Sequence, residues 1–85
     1  MLSTPTQTVF NTLTDFLASE PSPDAILAYQ LPDDLQARAR DLLERNGEGL
    51  LPFDEELEMH DFMRADDIMA LLKAKTRLKL AQQHS

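Results

Sequence analysis

Eighty-five residues allow one domain, and the absence of cysteine removes disulfide frameworks, Cys-ligated zinc and thiol catalysis. Doubly wound cofactor folds need several βαβ units of about 30 residues each, more than this chain holds. The formal charge of −7 opposes phosphate binding by the molecule as a whole.

That charge is unevenly distributed. Residues 1–67 carry all fifteen acids against Arg38, Arg40, Arg45 and Arg64, a net of −11. Residues 68–85 carry Lys73, Lys75, Arg77 and Lys79 with no acid, a net of +4. The opening Met1-Leu2-Ser3-Thr4-Pro5-Thr6-Gln7 lacks the basic and apolar regions of a signal peptide, and no apolar run is long enough for a membrane span. A cytoplasmic protein is expected.

In chain order, Thr4 before Pro5 with Gln7 three residues on has the form of a capping box. Val9, Phe10, Leu13, Phe16 and Leu17 follow at helical spacing, predicting a helix over 5–19. Pro21 and Pro23 interrupt it, because each disfavours helical geometry in the preceding residue. Ser22 is placed to cap a short second helix over 23–30, with Pro23 at its first position, Asp24 at the positive dipole end, and Ile26, Leu27 and Tyr29 inward.

Pro32 opens a third helix over 32–46, with Asp33 and Asp34 in its first turn. Leu35, Ala39, Leu42 and Leu43 form its apolar stripe, while Asp34–Arg38 and Asp41–Arg45 are spaced for helical ion pairs. Asn46-Gly47 is read as the stop, glycine readily taking the left-handed closing conformation. Pro52 then begins a last helix over 52–81 that meets no further Gly or Pro. Acids (Asp54, Glu55, Glu56, Glu58) fill its start and bases its end, as the helix dipole favours. No strand pattern is present.

Thirty helical residues span about 45 Å, longer than a compact domain of this size is wide. The apolar residues also fall on two sides: Leu57, Ala65, Ile68, Leu71, Leu72 and Leu78 on one, Met59, Phe62, Met63, Met69 and Leu80 on the other. The earlier helices either cover both sides, or leave one for a second chain. The second reading is preferred, with Met59, Phe62, Met63 and Met69 as partner-binding anchors, since flexible thioethers suit a surface that must fit a partner.

Catalytic and metal readings are weak. His60 follows Glu56 by four residues and adjoins Asp61, but the only other histidine is His84, and a structural zinc normally takes four ligands. The acidic clusters Asp54-Glu55-Glu56-Glu58 and Asp66-Asp67 match a solvated, dipole-adapted surface rather than a partly dry catalytic pocket. No serine or threonine has a histidine and an acid arranged to activate it, so no enzyme, metal or cofactor is expected. Lys73, Lys75, Arg77 and Lys79 stand at two-residue steps, which spreads their charge around the helix and weakens a nucleic-acid reading.

The stretch Leu42-Leu43-Glu44-Arg45-Asn46-Gly47-Glu48-Gly49-Leu50, then Pro52 with Glu55-Glu56, then Leu71-Leu72-Lys73-Ala74-Lys75, resembles a family of small, largely uncharacterised bacterial all-helical proteins over roughly residues 24–80. The resemblance implies an antitoxin-like or accessory role beside nucleases of the HNH or PIN kind, through gene neighbourhood. Leu51 stands where similar proteins have Thr before the last helix, replacing a side-chain cap with an apolar staple.

The expected architecture is a single all-α domain over 1–85, a small three- or four-helix bundle with a long C-terminal helix. A non-enzymatic protein-binding module that forms a homodimer is expected, acting through the last helix and the acidic surface. The alternative is a DNA-binding regulator using Lys73, Lys75, Arg77 and Lys79.

Overall fold

The computed structural model describes residues 5–83, with side chains from Val9 onward. Among these residues the only regular secondary structure is helical, with no strand: α1 (Pro5–Ala18), α2 (Pro23–Ala28), α3 (Asp33–Gly47) and α4 (Phe53–Gln83). The all-α architecture and the long last helix agree with the expectation. The Thr4 cap, its exchange with Gln7, and His84 lie outside the described residues.

The caps show why the elements begin and end where they do. Ser22 Oγ accepts a hydrogen bond from the Ala25 amide at 3.1 Å, with Pro23 at the first helical position, as the sequence predicts for α2. That helix is two residues shorter than expected, because Tyr29 is already extended. At the end of α1, Glu20 takes a left-handed φ of 56°, unusual for a residue with a Cβ.

The stop of α3 differs from the expectation. Gly47 remains within the helix, and Gly49 is the left-handed residue, at φ 73°. Leu50 N–H donates to Arg45 O at 2.9 Å and Gly49 N–H to Asn46 O at 3.0 Å, the paired bonds of a Schellman closure. The two glycines therefore respond oppositely to alanine. Gly49→Ala is expected to cost about 1–2 kcal/mol for the left-handed backbone. Gly47→Ala is expected to stabilise by about 0.5–1 kcal/mol, since a Cβ there meets nothing within 4 Å and helical glycine is entropically costly. Urea unfolding followed by circular dichroism reads both signs.

The backbones of α1, α2 and α3 each pack against α4 and scarcely approach one another. Ion pairs place Arg45 beside Glu55 and Arg38 beside Glu58, so α3 runs antiparallel to α4. Further along, Lys73 meets Tyr29, and α2 lies along the C-terminal half of α4. One core results, built from Val9 and Leu13 of α1, Leu35 and Leu42 of α3, and Met59, Phe62, Ala65 and Met69 of α4. Leu43, expected in the α3 stripe, is exposed instead.

Nothing interrupts α4 between Phe53 and Gln83. At 1.5 Å per residue its 31 residues span about 46 Å, and the molecule measures 50 × 29 × 18 Å. The radius of gyration is 15.2 Å, where a compact chain of this length has about 12 Å. The long helix sets the long axis, with the others laid along one side.

Candidate interaction surface

Burial along α4 identifies its inward face. Met59, Phe62, Ala65 and Met69 are buried, and Leu72 and Leu80 are half-buried on the same side. This corrects the sequence-based choice of anchors: Met59, Phe62 and Met69 hold the core, and only Met63 is exposed, at 51%. Met63 stands with Leu43 at the rim of a groove between α3 and α4. Ala65 and Leu72, grouped by sequence with the other side, belong to the core face. Ala65 lies only about 40° from Met69 and 60° from Phe62 at 100° per residue, and its small side chain fits where helices pack.

The opposite face is the one left open. Phe53, Leu57, Ile68, Leu71 and Leu78 are between 48% and 72% exposed. They fall within about 80° of helical arc, with Leu57, Leu71 and Leu78 on a seven-residue spacing that Arg64 completes. His60 and Arg64 interrupt the strip within the same arc, yet five large apolar side chains along one face exceed the single exposed apolar residues that ordinary monomers carry. Charges border it: Glu56 and Asp61 toward the N-terminal half, Lys75 and Arg77 toward the C-terminal half.

A clamp of ion pairs fixes which face points out. Arg38 Nε donates to Glu58 Oε2 at 2.8 Å and its Nη2 to Glu58 Oε1 at 2.7 Å, a bidentate bond to a carboxylate only 3% exposed. Arg38 Nη2 also reaches Glu55 at 3.1 Å, and Arg45 joins Glu55 at 2.6 Å and Asp41 at 2.9 Å. The Arg45 and Arg38 hydrogen bonds hold the Glu55 carboxyl below its ordinary value, against a smaller opposing effect of burial. The Glu58 hydrogen bond raises the Arg38 guanidinium value, and the Glu55 hydrogen bond raises that of Arg45. The predicted Asp41–Arg45 pair is present; Arg38, expected to pair with Asp34, crosses to α4 instead.

Other chemistry-bearing groups do not converge. Between α1, the α2–α3 link and α4 lies an open cleft of about 280 Å³, and in it Lys73 Nζ donates to the Tyr29 carbonyl at 2.9 Å. The Tyr29 ring rests on Phe16 with centroids 4.3 Å apart. Its buried hydroxyl has no partner, and burial pushes the phenol value up. Lys75 and Lys79 border a shallow groove beside α2, while Arg77 lies about 200° around the helix from Lys75. The four basic residues thus form no single face. His60 is exposed, and among the described residues no group of three His, Cys, Asp or Glu is placed to hold a metal ion. No described helix is long and apolar enough to cross a membrane.

No family model matches the chain, and neither a curated protein nor a solved structure matches it.

Proposed function

We propose that this chain is a non-enzymatic protein-binding module acting through the outward face of α4. The observation that carries the reading is the strip Phe53, Leu57, Ile68, Leu71 and Leu78, open to solvent on a helix whose opposite side is already fully used by the core. Burying five such side chains against a complementary helix gives the apolar contact that drives association, and the flanking charges give register and selectivity.

The groups with displaced proton affinity, Arg38, Arg45, Glu55 and Tyr29, act in packing α3 and the α2–α3 link onto α4. That leaves them without a catalytic task. The net charge of −11 over residues 1–67 suits a partner with a basic surface, as the nuclease association implied by the sequence resemblance requires. DNA binding is the weaker reading, because Lys73 is engaged with Tyr29 and Arg77 is directed away from the groove that Lys75 and Lys79 share.

The test is affinity capture from host cells with wild-type and Leu71→Glu baits. Leu71 is 59% exposed, so the variant keeps its helical circular dichroism spectrum. Wild type should retain a protein, its own untagged copy included, that the variant loses. Identical recovery by both baits would overturn the proposal.

A further inference from the structure

Resting on that reading of the α4 surface, we infer that its occupant is α4 of a second copy of this chain, paired antiparallel about a twofold axis near Ile68. The inference comes from the order of charge and apolar residues along the strip. Leu57, Arg64, Leu71 and Leu78 form its centre line at seven-residue steps. Turning a second helix end for end about a point between Asp67 and Ile68 lays Leu57 on the second copy's Leu78, and Arg64 on its Leu71.

The two borders then match independently. In an antiparallel pair related by a twofold axis, each flank of one helix lies beside the same flank of the other. On one flank Asp61 comes opposite the second copy's Lys75, with Ile68 facing its own counterpart at the axis. On the other flank Glu56 comes near the second copy's Arg77, staggered from it by two residues or about 3 Å, within reach of the long side chains. Each of these pairs occurs twice by symmetry, so four opposite-charge contacts frame the apolar seam.

A parallel pair gives the reverse result. There each flank of one helix lies beside the opposite flank of the other, which brings Glu56 beside the second copy's Asp61 and sets Lys75 near its Arg77. Like charges in register disfavour that arrangement. The separation of acid from base along the chain, which as a single-helix feature only suits the helix dipole, thus also selects antiparallel self-association. One contact opposes it: Asp67 meets its own copy close to the axis, with an Arg64 from each chain within about a turn to offset the repulsion. Arg64 also shortens the apolar seam.

The chain has no cysteine, which makes directed crosslinking clean. Under mild oxidation Ile68→Cys should join to itself, Leu57→Cys alone should not, and a mixture of Leu57→Cys with Leu78→Cys should crosslink. Self-crosslinking of Leu57→Cys with none in the mixture would overturn the antiparallel arrangement. Sedimentation equilibrium should give twice the 9.6 kDa chain mass for wild type and the single mass for Leu71→Glu.

Asp61→Lys or Lys75→Asp alone should weaken self-association about tenfold, and mixing the two should restore it as a heterodimer. A wild-type monomer at high micromolar concentration would overturn the inference. If in that case the host-cell baits still separate, the α4 face has a different occupant and the functional proposal stands; if they do not, both fall.

Discussion

Phe62→Ala is expected to remove about 3–5 kcal/mol of stability, the largest effect of any single substitution considered. The ring is buried in the core among residues of α1, α3 and α4, and alanine leaves a cavity these helices close only in part. An 85-residue domain has about 4–13 kcal/mol in total, so much of the fold's margin goes with one side chain. Thermal unfolding followed by circular dichroism should show a midpoint lower by at least about 12 °C. Met63→Ala, half exposed on the same helix, should change stability by less than about 1 kcal/mol. An unaltered midpoint for Phe62→Ala would mean that the ring lies outside the core.

Arg38→Met is expected to cost about 3 kcal/mol, because it strands the Glu58 carboxylate in a nearly dry position. The outer edge of Arg38 reaches solvent, which places the effect at the low end of those measured for broken buried pairs. Glu58→Met should cost less than about 1 kcal/mol, since it removes the buried charge and leaves Arg38 bonded to Glu55. Arg38→Met combined with Glu58→Met should recover most of the loss. Urea midpoints for the three variants measure this asymmetry, and equal costs for the two single variants would contradict it.

The same clamp has a pH signature. Glu55 has a folded value below its ordinary 4.5, so the folded state holds its proton less tightly than the unfolded chain does. Its contribution is therefore present in full above that ordinary value and lost as pH falls through the lower, folded value. Glu55→Gln should flatten the acid limb of the stability profile and leave its shape near neutrality unaltered.

Much of the fold was legible because helix boundaries are written locally. Ser22-Pro23, Pro32 and Pro52 mark starts through backbone constraints that need no distant partner. The left-handed closing residue of α3 was misplaced by two positions, because either Gly47 or Gly49 can take that conformation and only the hydrogen bonds to Arg45 and Asn46 select between them. The length of α4 followed from the absence of any breaker.

Which face of α4 points inward was not legible in the same way. Both faces carry enough apolar area to form a core, and methionine fills a core as readily as it fits a partner. The face is selected by contacts far apart in sequence, above all Arg38 with Glu58, twenty residues away. Spacing within α3 alone pointed Arg38 to Asp34. One available signal was Glu58 itself, which shares a helical side with Phe62 and Ala65 and needs a cation from another helix when that side is buried.

Because α1, α2 and α3 each find their backbone neighbours chiefly on α4, the first fifty residues have little to fold against until that helix is available. During synthesis they leave the ribosome as solvated, highly acidic chain, and organisation is deferred to the final third. Folding is then gated by one late-arriving helix, so lesions that fray α4 loosen all three docked helices at once instead of one at a time.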